Sequence, residues 1–183
     1  MYTHLQDVLV KYDSEVKQCL AISSSSGLAK LLGLKSVKIK GASYPEHNLI
    51  DLKFKDNSFD FCISDQVLEH VQGNPYKAVE ESIRVVKPGG FIVHTTCFIN
   101  EVHNFPGDFW RFTPDALRLM SESFKAQVIN CGGWGNREVW SYIKMGYRGA
   151  KIPEDPNNPI YQLAMKNDPS CPIVTWVVAR VQS

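Results

Sequence analysis

The side chains best suited to chemistry fall in two clusters. The first is Ser64-Asp65-Gln66 followed by Glu69-His70, and the second is His103 ahead of Asp108, Trp110 and Arg111. An imidazole ordinarily titrates at about 6.5, so it can take a proton from an oxygen or nitrogen nucleophile at neutral pH. His70 and His103 are therefore the candidate bases. His94 sits in the middle of an apolar run and is expected to be a satisfied core histidine. An Asp108–Arg111 ion pair with its neighbouring aromatics would stiffen the loop that roofs a site.

These clusters need a scaffold, and the surrounding pattern supplies one. Phe59 to Ile63 is a continuous apolar strand, which puts Ser64-Asp65-Gln66 at its carboxyl end. Asn74-Pro75 starts a helix, because Asn can cap and Pro is tolerated at the first helical position. Val79, Ile83 and Val86 give its buried stripe, and Pro88-Gly89-Gly90 stops it. Phe91 to Cys97 is the next strand, rich in β-branched residues. A long aromatic loop, Asn100 to Phe112, carries His103. Thr113-Pro114 then opens a helix with Leu117 and Met120 inside.

Upstream, Thr3 to Tyr12 has the helical stripe Leu5, Val8, Leu9, Tyr12. Cys19 to Ile22 reads as a first strand, Ser23 to Ser26 as a small-residue loop, and Gly27 to Leu34 as a helix. Ser36 to Ala42 alternates like a strand with one wet face, and Lys35, Lys38 and Lys40 read as a solvated sheet edge. Tyr44-Pro45 breaks that strand. The room before Leu49 to Leu52 is too short for the crossover helix that parallel strands usually need. Downstream, Ala126 to Ile129 and Ile173 to Val181 read as strands. Between them lie a turn at Gly132 to Asn136, a short helix around Val139 to Tyr147 and a Pro/Asn-rich loop. Alternating strands and helices predict a mostly parallel sheet with helices on both faces, whose ligands bind beyond the carboxyl ends of the strands.

Composition narrows the function classes. The chain has 183 residues, expected to form a single domain over 1–183, with 44% hydrophobic and 21% charged residues. A net charge of +1 argues against nucleic acid as partner. No apolar run approaches a membrane span and no signal-peptide pattern is visible. Five scattered cysteines without a CxxC pair point to a reduced, cytoplasmic protein without a structural zinc site.

The block Asp56-Asn57-Ser58-Phe59-Asp60, the segment Leu68-Glu69-His70-Val71 and Lys87-Pro88-Gly89-Gly90 together resemble class I S-adenosylmethionine (SAM) methyltransferases of the type 11 kind. The run from Pro106 through Asp108-Phe109-Trp110-Arg111-Phe112-Thr113-Pro114 resembles a signature found in a subset of them, many linked to sugar or small-metabolite chemistry. The resemblance spans roughly Lys17 to Asn136. It implies a Rossmann-like sheet, mostly parallel with an antiparallel final strand, and SAM as cofactor.

By that resemblance, the cofactor loop is Ala21 to Gly27. Aligned on Gly27, Ser23 and Ser25 replace the first two glycines of a GxGxG, and Ala21 replaces the acid before them. Ser43 falls where an acid normally holds the ribose. Asp51-Leu52 falls where the family contacts adenine, and Asp65 and Gln66 face the crevice. Each lost charged hydrogen bond is worth about 1.5–3 kcal/mol, enough to weaken a cofactor roughly 10- to 100-fold. Gln66, Glu69 and His70 also match the spacing of an ExxEH segment that binds magnesium in some relatives. Gln stands for its first acid, so the sequence is read without a metal.

Two readings of different class follow. One is a SAM-dependent methyltransferase with a small-molecule or sugar-like acceptor. The other is an inactive methyltransferase-like binding module or partner subunit, favoured by the missing glycines and acids. A short-chain dehydrogenase lacks support: GxGxxG is absent, and Tyr142 and Lys144 are wrongly spaced for its catalytic pair. Trp134 and Trp140 leave open an interface, to a second copy or a partner, against simple packing on the sheet.

Overall fold

The computed structural model describes residues 1–13, 17–104 and 106–183. Its centre is a six-stranded sheet in the order β2-β1-β3-β4-β6-β5. The strands are β1 (Lys17–Ile22), β2 (Val37–Ala42), β3 (Phe59–Asp65), β4 (Val86–Cys97), β5 (Ala126–Trp134) and β6 (Val174–Val181). β2, β1, β3 and β4 run parallel, and β6 is antiparallel to both β4 and β5. The expected architecture holds.

The helices are α1 (Tyr2–Leu9), α2 (Ser26–Leu31), α3 (Pro75–Val85), α4 (Pro114–Glu122), α5 (Arg137–Tyr142) and α6 (Pro159–Met165). Four starts share one device: a side chain accepts a backbone N–H of the first turn. Asn74, Thr113 and Asn158 do so just ahead of a proline, and Asn136 does so for Val139. α6 lies within the Pro/Asn-rich segment expected to be a loop, although Asn158-Pro159 repeats the Asn74-Pro75 pattern. β4 and β5 also run further than their apolar centres suggest. β4 takes in Pro88-Gly89-Gly90, and β5 continues through Gly132 and Gly133. Gly90 lies so close to β3 that an added Cβ would sit 2.6 Å from the Asp60 carbonyl.

Each face of the sheet buries its own cluster. Leu5 and Leu9 of α1 and Leu28 and Ala29 of α2 cover Cys19, Ala21, Phe61, Ile63 and Val93. Val79 and Ile83 of α3 and Leu117 and Met120 of α4 cover Leu20, Ile22, Cys62 and Ile92. The central strands are buried on both faces, which is why they read as unbroken apolar runs. β2 is one of the two edge strands, and Ile39 within it is 45% exposed. Lysines on such an edge discourage pairing with other chains.

The connection from β2 to β3 contains no helix. Leu49 and Leu52 are buried there in the cluster of the α3 face. Arg84 of α3 pins the segment by donating to the carbonyls of Leu52 (2.8 Å) and Phe54 (2.9 Å) and to Asp56 (2.6 Å). Glu81 accepts from the Leu52 N–H at 2.9 Å and pairs with Arg84 at 2.8 Å. This pinned loop covers the sheet where a crossover helix would.

Candidate active site and cofactor crevice

From β1 the chain moves outward to β2, then returns to place β3 on the other side of β1. Ligands of such sheets bind at this switch point, beyond the strand ends. Ser25 closes the bottom of that crevice. Its hydroxyl donates to the Ile22 carbonyl and accepts the Asp65 N–H at 2.9 Å. It is buried and occupied, so it ties β1 to β3 rather than presenting itself to a ligand. Ser23 is exposed, and its N–H is taken by the Ala42 carbonyl at 2.8 Å. The left-handed backbone falls on Ser23 (φ 49°) and Ser24 (φ 66°), not on Ser25. The glycine-demanding positions are thus adjacent, one residue off from the alternation read in the sequence. Gly27 lies exposed with open space around its Cα.

Asp65 leaves the end of β3 and is held on two sides. The Tyr2 hydroxyl of α1 donates to its two oxygens at 2.9 and 3.0 Å, and the Thr95 hydroxyl also donates to it. Burial and the Asp65 charge push the Tyr2 hydroxyl pKa well above its usual value. Gln66 turns back with φ 55°, its N–H on the Thr95 carbonyl (3.0 Å) and its amide nitrogen on the Thr95 hydroxyl (3.2 Å). Sequence reasoning misses Tyr2 because the helical stripe marks where α1 packs, not what its first turn reaches.

The other expected cofactor contacts are dispersed. Ser43 is exposed at the end of β2. Asp51 is exposed and pairs with Lys53 of the same loop. Leu52 has its side chain in the core.

His70 and His103 do come together. A short 3₁₀ turn, Leu68–His70, follows β3, and the segment after β4 folds back over it. Phe109 and Trp110 donate their backbone N–H groups to the Glu69 carbonyl at 2.8 and 3.2 Å. The Trp110 indole N–H reaches the Val71 carbonyl at 2.9 Å, and the Thr175 hydroxyl reaches that of Phe112 at 2.8 Å. Asp108 and Arg111 form the expected two-pronged ion pair, Nη2 to Oδ2 at 2.7 Å, with the Asp108 side chain 1% exposed. Arg111 holds the Asp108 carboxyl far below the usual carboxylate range.

The two imidazoles meet edge to face, centroids 4.8 Å apart. His70 Nδ1 bonds the Gly107 carbonyl. His103 Nδ1 has Asp108 Oδ2 at 3.2 Å, the Glu101 carbonyl at 3.1 Å and the Asn100 amide nitrogen at 3.2 Å. Behind them Glu69 is fully buried, accepting from the Thr96 hydroxyl at 2.8 Å. Burial, then the Glu69 charge, pushes the adjacent Cys97 thiol up to about 12. His94 is buried as expected but only half satisfied: its Nδ1 lies 2.7 Å from the Ser64 hydroxyl, its buried Nε2 has no partner among the described residues, and burial lowers its pKa to about 4. That removes it from the candidate bases.

Two hollows lie elsewhere, and neither is lined by these groups. One of about 680 Å³ lies where β5 ends and β6 begins, between α1 and α5–α6, lined by Trp134, Val139, Ile143, Tyr161 and Met165 among others. The other, about 290 Å³, lies at the opposite end of the strands, around Asp60, Lys87 and Arg180.

Fold and sequence comparisons agree on the class. Residues 6–94 match the family profile described as a methyltransferase domain. An uncharacterised methyltransferase of Schizosaccharomyces pombe is 38% identical over 78 residues, 43% of this chain and 28% of that protein. An uncharacterised Methanocaldococcus jannaschii protein is 38% identical over 77 residues, 40% of this chain and 33% of that one. The matched segments thus span about a third or less of those relatives. A structure described as a “putative sarcosine dimethylglycine methyltransferase” from Galdieria sulphuraria has a TM-score of 0.61 at 15% identity, covering 99% of this chain and 85% of that one. The methyltransferase from a Haloferax volcanii complex with the Trm112 activator has a TM-score of 0.59 at 13% identity, covering 100% and 94%. Residues 6–94, just under half of the chain, thus match a methyltransferase domain, and the whole fold is similar to that of methyltransferase structures.

Proposed function

We propose that this protein is a SAM-dependent methyltransferase acting on a small-molecule or sugar-like acceptor in the cytoplasm. The observation that carries the reading is the strand order, which brings Ser23, Asp65 and Gln66 together at the carboxyl ends of β1 and β3, with the His70–His103 pair on the turn that follows β3. SAM would lie along the strand ends, near Ser23, Ser25 and Gly27 on one side and Asp65 and Gln66 on the other. Exposed Ser43 and Asp51 are free to meet the adenosine end, whereas Leu52 is in the core with its backbone taken by Glu81 and Arg84. Methyl transfer is an in-line displacement at a sulfonium, so the protein has chiefly to align the nucleophile and receive its proton. His70 is suited to receiving it, because its Nδ1 faces a carbonyl and therefore carries the hydrogen, which leaves Nε2 with a free lone pair. Exposed Phe109 and Trp110 offer an acceptor flat apolar surface beside it.

One observation favours a second reading, that of a partner-dependent or inactive subunit. Asp65 is already satisfied by Tyr2 and Thr95, so the crevice is closed by the protein's own side chains. A structural neighbour that occurs with an activator fits this reading too. Calorimetric titration with SAM and S-adenosylhomocysteine separates the two. Micromolar binding supports the enzyme; no binding up to millimolar supports the subunit, whose crevice would open only with a partner.

A further inference from the structure

Glu69 is a fully buried acid, with the Arg111 guanidinium near enough to feel its charge but not paired with it. Its side chain is fully enclosed, and both of its bonds are donated to it, by the Thr96 hydroxyl at 2.8 Å and the Cys97 N–H at 3.4 Å. No ion pair to it forms among the described residues. A carboxylate removed from water in this way is strongly unfavourable unless a cation completes it.

Two nitrogen donors stand next to it. One donor atom each from Glu69, His70 and His103 lies within 4.8 Å of the others. Each imidazole has one nitrogen turned to acceptors: His70 Nδ1 to the Gly107 carbonyl, His103 Nδ1 to Asp108 and the Glu101 carbonyl. For His70 the opposite nitrogen therefore keeps its lone pair, while His103 Nδ1 also meets the Asn100 amide nitrogen, so either ring nitrogen of His103 is available as a donor. An imidazole oriented through its other N–H by a carbonyl or carboxylate is the usual support for a metal-binding histidine. Asp108 is in turn fixed by Arg111.

We infer that Glu69, His70 and His103 form a binding site for one divalent transition-metal ion of the zinc type. Two imidazoles and one carboxylate suit such ions and not magnesium, which prefers oxygen ligands. Gln66 does not take part, since its amide is turned to Thr95. Its presence in place of an acid therefore does not decide the question: the third ligand comes from the loop after β4. Bonds of about 2.1 Å would bring the donors to roughly 3–3.5 Å from one another. His103, 38% exposed, can close that gap by a side-chain movement. The remaining positions on the ion would be open to water or to an oxygen or nitrogen of the acceptor. Only this use of the ion rests on the proposed function; its binding does not. With the ion in place, proton loss from the acceptor is promoted by the metal instead of by a free imidazole.

The test is titration of chelator-stripped protein with zinc and, in parallel, magnesium, followed by the absorption spectrum of the cobalt-loaded protein. One zinc per chain at micromolar affinity is expected, with binding at least about tenfold weaker in His103→Gln and in His70→Gln. Magnesium should not compete. The cobalt spectrum should lack the intense thiolate bands that any of the five cysteines would produce. Absence of stoichiometric binding, equal binding in the variants, or a thiolate-type spectrum would overturn the site. The spectrum of the unaltered protein decides even if a variant fails to fold. Zinc binding without SAM binding would leave the site standing and sink the proposed function; the reverse would do the opposite.

Discussion

The two sides of the crevice are built differently. On the β3–β4 side every functional group has a dedicated support: Asp108 by Arg111, His70 by Gly107, Glu69 by Thr96. On the β1–β2 side the loop is strained at Ser23 and Ser24, its buried hydroxyl is spent on the backbone, and its sheet ends in an exposed edge strand. Supports of the first kind hold side chains ready for chemistry. The second kind holds the loop itself together. The difference teaches that the side holding Glu69, His70 and His103 is preformed, whereas the serine-loop side is closed on itself.

The largest effect should come from breaking the preformed side. Asp108→Ala leaves Arg111 partly buried without its partner and frees the loop over the 3₁₀ turn. We expect a loss of about 3 kcal/mol in urea unfolding, the scale seen when one member of a buried pair is removed. A loss under about 0.5 kcal/mol, the range of a neutral surface change, would mean that the loop does not depend on the pair.

Nearly as large is the pH response of His94, which anchors β4 on that same side. Its folded pKa is about 4, whereas the unfolded value is about 6.5. Below 6.5 the unfolded chain takes up a proton that the folded one refuses. Stability should therefore be full above pH 6.5 and decline as pH falls toward 4, by on the order of 3 kcal/mol. His94→Gln should flatten that part of the stability–pH curve. An unchanged curve would mean that other groups cause the decline.

A smaller effect sharpens the comparison from the cofactor side. Tyr2→Phe removes the hydroxyl that occupies Asp65. If the crevice must open to admit SAM, affinity should rise by about tenfold, the equivalent of one charged hydrogen bond no longer to be broken. A fall in affinity would instead make Tyr2 a positive contributor to the cofactor site.

The unevenness of the two sides also explains what the sequence could disclose. The strands flanking the site are legible because burial on both faces makes continuous apolar runs, and the capped helices because Asn-Pro and Thr-Pro state their own starts. Even the Asp108–Arg111 pair is legible, since its members are three residues apart. The meeting of His70 and His103 is not, because it depends on how a long loop folds back over a turn. Neither is Tyr2 on Asp65, a contact across 63 positions. The serine loop reads one residue out of register, because aligning on Gly27 assumes that glycine spacing survives when the glycines themselves are gone.

That last point gives the mildest prediction. A serine in the left-handed region carries roughly 1–2 kcal/mol of strain, and glycine carries none there. Glycine loses about 0.5–1 kcal/mol more chain entropy on folding, so the net gain from Ser24→Gly should be about 0.5–1 kcal/mol. Ser25→Gly should do the reverse, because it removes the buried hydroxyl that joins the Ile22 carbonyl to the Asp65 N–H. Opposite signs at neighbouring serines, read as shifts in the urea midpoint, would show that the loop is held by its own bonds. Equal signs would mean that the strain is not at Ser24. If SAM affinity rises together with the stability of Ser24→Gly, the strained backbone is what limits the approach of the cofactor, and the weaker side of the crevice is weak for a local reason.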